Sequence, residues 1–173
     1  MSATITVITA SDRASEGEYE DRSGPAIADF LREQLVDDYT LATHIVPDER
    51  ETLAALLTEL CDGSSKSDWV LMTGGTGPAP RDVTPEALSD VAERHLPGFG
   101  ERMRSVAWDR VPTAILSRQG AAIRGSTLII SLPGSPKAIR ECLGVVLPAV
   151  PHCLELIGAK TVGLQDGSGR VSH

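Results

Sequence analysis

Four short runs, ITVITA (residues 5–10), LATHIVP (41–47), DWVLMTG (68–74) and STLIISLPG (126–134), are nearly continuous in apolar and β-branched character. A strand with one wet face alternates apolar with polar; a strand that is apolar on both alternate sets needs cover on both faces. Helical patterns separate the runs. Ile27, Phe30, Leu31, Leu35 and Val36 form one apolar stripe behind Pro25, which suits the first turn of a helix. Segments 48–62 and 84–96, a segment after PGFG (97–100) and a long stretch from Pro136 supply further helices. Strands alternating with helices predict an α/β fold: a three-layer, doubly wound domain with a mostly parallel central sheet. In such folds ligands gather at the carboxyl ends of the strands. The polar segments 11–24, 47–48, 74–82 and 133–135 all fall there.

The boundaries follow from caps and breakers. Asp48 suits the N-cap of the 48–62 helix, with Glu51 completing a capping box. Thr84 suits the cap of the 84–96 helix, with Pro85 as its first residue. Ser135 and Pro136 repeat that arrangement for the last helix, which is expected to break at Pro148 and Pro151. The segment 11–24 reads as a long polar loop, and residues 113–116 suit a short strand. The chain has 173 residues, of which 41% are hydrophobic, favouring one domain with a substantial core. That domain is expected over residues 1–160, with 161–173 a polar, glycine-rich, mobile tail.

Charge and composition remove several functional classes. A formal net charge of −8 and 3% aromatic residues disfavour nucleic acid, which needs a basic surface and stacking platforms. No apolar run reaches the length of a membrane span, and no export signal is evident at the start. Cys61, Cys142 and Cys153 form no C-x-x-C pair and no zinc spacing with the four histidines, so reduced thiols and a cytoplasmic location are expected. An anionic small molecule stays compatible, because Arg13, Arg81, Arg118, Arg124 and Lys137 sit in or beside loops.

The loops carry the chemistry. Gly74-Gly75-Thr76-Gly77 leaves successive amides uncovered, which suits an anion nest or a ligand-free tight turn. The stretch lacks the P-loop lysine pattern and the dinucleotide fingerprint, so neither an ordinary P-loop nor a hydride-transfer site is supported. Pro133-Gly134 ahead of a capped helix offers a second phosphate-sized feature. Asp48 and Asp82 follow different strands. On one crest they suit Mg²⁺ held between phosphate oxygens, although Asp48 has capping as a competing role. Ser11, Asp12, Arg13, Ser15 and Ser23 are equally compatible with a polar heterocycle or with solvent, and so are Ser117 and Arg118. The histidines lie outside all these loops, so no base-activated nucleophile is indicated. Positioning and charge neutralisation remain, the mode of phosphoryl and nucleotidyl transfer.

Several spaced segments together carry a resemblance: VITASDRASEGEYEDRSGP, VPDE, TGGTGPAPRDVTPEA, LPGFGERMR, PTAILSRQGAAIRG and SLPGSPKAIRECL. In this order they resemble the MogA/MoaB family of molybdenum-cofactor biosynthesis, over about residues 4–157. The resemblance implies Mg²⁺-dependent transfer of AMP from ATP to molybdopterin with release of pyrophosphate. It also implies a homotrimer and a downstream molybdate-insertion protein. By motif it assigns catalysis and metal to Asp48 and Asp82, nucleotide phosphates to Gly74, Gly75, Thr76 and Gly77, and molybdopterin to Ser117 and the position of Ser131. Pro133 and Gly134 are expected to join the phosphate side, and Ser11, Asp12 and Arg13 the molybdopterin side. Position 131 is often asparagine in the family and is serine here. A molybdopterin-binding carrier or scaffold with little adenylylation is the alternative.

Overall fold

The computed structural model describes residues 2–36, 38–108 and 110–165. Six strands, β1 (Ala3–Ala10), β2 (Tyr39–Val46), β3 (Trp69–Thr73), β4 (Arg94–His95), β5 (Ala121–Arg124) and β6 (Thr127–Leu132), form one sheet in the order β2-β1-β3-β6-β5-β4. The β1–β2, β1–β3 and β3–β6 pairings are parallel; β5 is antiparallel to β6, and β4 to β5. The carboxyl ends of β2, β1, β3 and β6 therefore share one crest, and β5 starts there because it runs the other way.

Both faces of the sheet are covered, as strands apolar on both alternate sets require. Ile5 and Val7 of β1, Trp69 and Leu71 of β3, and Leu128 and Ile130 of β6 face one core. That core is completed by α2 (Ser23–Gln34), α5 (Pro97–Trp108), α6 (Pro136–Val146) and α7 (Val150–Leu156). Ile8, Val70, Met72 and Ile129 face the other, which is closed by α3 (Arg50–Asp62) and α4 (Thr84–Val91). The result is the expected three-layer, doubly wound α/β fold with a mostly parallel sheet. Among the described residues, no helix is long and apolar enough to cross a membrane.

Local readings differ from the structure at several places. The polar loop after β1 contains a short helix, α1 (Asp12–Ser15), capped by Ser11, whose Oγ accepts from the Ala14 N–H at 3.2 Å. The helix expected over residues 84–96 stops at Val91, because Glu93 and Leu96 donate their amides to Ile123 and Ala121 and extend the sheet edge. Pairing on an open edge outweighs helical periodicity there. Residues 113–116 lie in a 3₁₀ turn (Pro112–Leu116), and the strand of that region is β5. The last helix breaks as its prolines require, into α6, a 3₁₀ turn (Leu147–Ala149) and α7. The packed chain continues past residue 160: Val162 and Leu164 are buried, and Leu164 bridges to Leu35. The remainder of the expected tail, residues 166–173, lies outside the described residues.

Candidate active site

The glycine turn after β3 is built by steric demand. Gly74 has φ +91°, and a Cβ there would lie 2.3 Å from the Ala10 carbonyl oxygen at the end of β1. Gly75 has φ +59°, and its Cβ would lie 2.6 Å from Thr84 Oγ1 and 2.9 Å from Asp48 Oδ1. Residues with side chains rarely adopt either conformation, and at both positions the space is already filled.

The carbonyls of this turn are all held. Thr84 donates Oγ1–H to Gly74 O at 3.0 Å and N–H to Gly75 O at 3.1 Å. Arg118 donates its backbone N–H to Thr76 O at 2.8 Å and its guanidinium to Gly77 O at 3.0 Å and Asp82 O at 2.6 Å. Among the described residues, the N–H groups of Gly75, Thr76 and Gly77 have no protein acceptor. A loop whose acceptors are tied back and whose donors stay free is an anion nest.

Three carboxylates flank the nest. Asp12 and Asp48 exchange bonds: Asp12 N–H donates to Asp48 Oδ2 at 3.0 Å, and Asp48 N–H donates to Asp12 Oδ1 at 2.9 Å. Arg81 grips Asp12 through Nε and Nη2, at 2.6 to 3.0 Å. Its hydrogen bonds and charge hold the Asp12 carboxyl below the ordinary value. Asp48 Oδ1 is buried with no partner. Burial pushes its carboxyl above the ordinary value, and the charges of Asp12 and Asp82 add to that. Asp82 closes its own turn, accepting from the Ala79 N–H at 2.9 Å, and its Oδ2 would lie 2.7 Å from a Cβ on Gly77. Asp48 and Asp82 thus border neighbouring positions of one loop.

Helix capping is therefore not the work of Asp48. The N-cap position of α3 is Glu49, without a side-chain cap bond, and Asp48 faces Asp12 instead. Thr84 likewise caps nothing with its hydroxyl, since the N-cap position of α4 is Val83. Among the described residues, no group of three or more His, Cys, Asp or Glu side chains is placed to hold a metal. The residues nevertheless fit Mg²⁺. One buried carboxylate oxygen is unpaired and a second carboxylate lies along the same loop. Magnesium asks for that few protein ligands and fills its shell with water and substrate phosphate.

The other candidate residues divide. Gly134 adjoins the turn, its Cβ position 3.7 Å from Gly74 Cα, which is ordinary contact that excludes no side chain. Pro133 O accepts from Thr73 Oγ1 at 2.8 Å, and Ser23 Oγ donates to Gly134 O at 2.7 Å. Arg13 turns aside, its guanidinium 5.3 Å from the centre of the Tyr19 ring. Ser117 is half-buried and donates Oγ–H to Gln119 Oε1 at 3.1 Å. Ser131 corrects the reading of it as a ligand contact: it is 0% exposed. Its Oγ accepts from Gly120 N–H at 2.9 Å and donates to Gly120 O at 3.2 Å. A short hydroxyl here is spent on holding the 117–120 loop. Arg124 lies at the opposite end of the sheet, paired with Asp62 at 2.6 Å, and lines no cleft with the others.

Residues 6–152 match a family model described as a probable molybdopterin binding domain. The chain is 54% identical over 153 residues to a molybdopterin adenylyltransferase of Helicobacter pylori strain J99, covering 88% of this chain and 86% of that protein. It is 46% identical over 165 residues to the molybdopterin adenylyltransferase of Escherichia coli K12, covering 88% and 84%. The chain belongs to the MogA/MoaB family of molybdopterin-biosynthesis proteins. The molybdopterin biosynthesis enzyme MoaB of Thermus thermophilus superposes with a TM-score of 0.83 at 41% identity, over 92% of this chain and 98% of that one.

Within this MogA/MoaB domain, sequence reasoning missed the residues that act on the site from behind. Asp21 accepts from Thr9 Oγ1 at 2.9 Å and from the Ser23 amide at 2.9 Å, fixing the start of α2 against β1. Arg118 reads as an ambiguous loop arginine, but it is a clamp, ion-paired also with Glu86. Arg104 reaches from α5 to Gln119 O at 2.9 Å. Nothing in the spacing signals these contacts, which join residues from separate elements.

Proposed function

We propose that this chain is a molybdopterin adenylyltransferase, transferring AMP from ATP to the terminal phosphate of molybdopterin. The observation that carries the reading is the free-amide nest at Gly75–Gly77 beside the buried, unpaired Asp48 oxygen. The names of the relatives point the same way.

The nest amides bind the phosphates of ATP and stabilise charge that grows on the α-phosphoryl group. Asp48 and Asp82 are the residues that would hold Mg²⁺ at this crest. When bound there, Mg²⁺ neutralises charge on the transferring group and on the departing pyrophosphate. A phosphate oxygen of molybdopterin attacks the α-phosphorus, the bond to the bridging oxygen breaks, and pyrophosphate leaves. The attacking oxygen is already ionised at neutral pH, so no histidine base is required. Arg81 keeps Asp12, and through it Asp48, in place before substrate arrives. Ser11, Asp12, Ser117 and the crest around Gly120 offer the molybdopterin side, with Ser131 supporting the loop. Adenylylated molybdopterin then passes to a molybdate-insertion protein.

We read the exposed apolar residues Trp108, Val111, Ile115 and Leu116, beside the Ser117 loop, as a subunit contact, which is compatible with a homotrimer. Free thiols at Cys61, Cys142 and Cys153 fit the cytoplasm. The test is pyrophosphate release with molybdopterin, ATP and Mg²⁺ together, absent when any one is omitted. Molybdopterin binding without pyrophosphate release would favour the carrier instead.

A further inference from the structure

Behind Ser117 runs a chain of hydrogen bonds that reaches into the core. Ser117 Oγ donates to Gln119 Oε1 at 3.1 Å, Gln119 Nε2 donates to Cys142 Sγ at 3.5 Å, and Cys142 Sγ donates to Met103 O at 3.9 Å. Gln119 is 4% exposed and Cys142 3%. Its direction is set at the far end. A backbone carbonyl only accepts, so the Cys142 thiol donates to Met103 O. Its sulfur then accepts from the Gln119 amide nitrogen, which turns Oε1 towards Ser117. The Ser117 proton is thereby drawn inward. The backbone is fixed as well. Arg104 binds Ser117 O at 3.3 Å and Gln119 O at 2.9 Å, and Gly100 of α5 admits Gln119 O where a Cβ would lie 2.5 Å away.

We propose that Gln119 is a positioning residue that presents the half-buried Ser117 hydroxyl to the ligand as a hydrogen-bond acceptor only, selecting an N–H donor of the pterin ring over a phosphate oxygen. The inference rests on the reading that places molybdopterin at Ser117. A hydroxyl with a free proton serves either partner. One whose proton is committed has only lone pairs to offer, and a phosphate has only acceptors to set against them. The buried thiol is suited to this anchoring. Burial pushes Cys142 up to about 11, so the sulfur keeps the proton that sets the direction.

The experiment measures KM for molybdopterin and for ATP, and affinity for 6-hydroxymethylpterin, which carries the ring donors and no phosphate. Ser117→Ala and Gln119→Met should each raise the molybdopterin KM about three- to tenfold, with kcat and the ATP KM nearly unchanged. The double variant should be no worse than Ser117→Ala, since the two act through one bond. Ser117→Ala should weaken 6-hydroxymethylpterin to the same degree. If it weakens molybdopterin alone, the hydroxyl faces phosphate and the proposal is overturned. A raised KM in Ser117→Ala with no change in Gln119→Met, or additive effects, also overturns it. An unchanged KM in Ser117→Ala overturns the placement of molybdopterin, and the relay with it. Should Gln119→Met fail to fold, Cys142→Ala leaves the amide present but unanchored. A raised molybdopterin KM is expected there, and an unchanged one overturns the proposal.

Discussion

Asp48→Asn removes one charge and almost no volume from the crest. The asparagine oxygen keeps the bond from the Asp12 amide, now 3.0 Å, while its NH₂ takes the place of the unpaired Oδ1. No helix cap is lost, because Asp48 caps none. The linkage sign follows from a folded pKa raised above 3.8. A raised value stabilises the fold below the unfolded pKa, and that contribution is lost as pH rises through the folded one. At neutral pH the buried charge is a net cost, which asparagine removes. Thermal unfolding should therefore stay within about 1 kcal/mol of the parent, on the stable side, with less gain on acidification. Turnover should fall by about 10²–10³, the usual effect of losing one charge-stabilising contact in a transfer site. Single-turnover formation of adenylyl-molybdopterin and unfolding are measured on the same preparation, with added Mg²⁺ expected to restore part of the rate. Full turnover in a normally folded variant would refute the catalytic role. A large loss of stability would show that the carboxylate is needed to hold Asp12.

Gly74→Ala should cost about 2–4 kcal/mol and weaken ATP, because positive φ and the Ala10 carbonyl both oppose a Cβ; Gly134→Ala is the control, and equal unfolding midpoints would refute the steric argument. Ser131→Ala strands the Gly120 amide, so stability should drop by about 1–2 kcal/mol with a raised molybdopterin KM; an unchanged unfolding midpoint would show that Gly120 finds another acceptor. Arg81→Ala should flatten the acid limb of the stability–pH curve below about pH 4, since the depressed Asp12 pKa contributes stability above its unfolded value that is lost as pH falls through the folded one. A superimposable acid limb would mean that the exposed pair contributes nothing to the fold.

The order and kind of the main elements were legible in the chain alone. Strands such as ITVITA and STLIISLPG are apolar on both sets of positions, and only a sheet covered on both faces accommodates them. The glycine turn and the two aspartates beside it were legible too, because backbone conformation and chemistry at such a turn are local properties. The roles assigned by local rules were the ones that failed. Asp48 and Thr84 occupy positions where capping statistics are strong, but Asp12 arrives from another strand and claims one, and the Gly74 carbonyl claims the other. Residues 94–95 became a strand because β5 had an edge to fill. Ser131 looked outward from its motif until the sheet buried it under Gly120. A hydrogen bond between residues tens of positions apart depends on which surfaces the packed layers bring together. Periodicity carries each residue's preference for a face, while the partner waiting on that face is chosen only when the sheet closes between its helices.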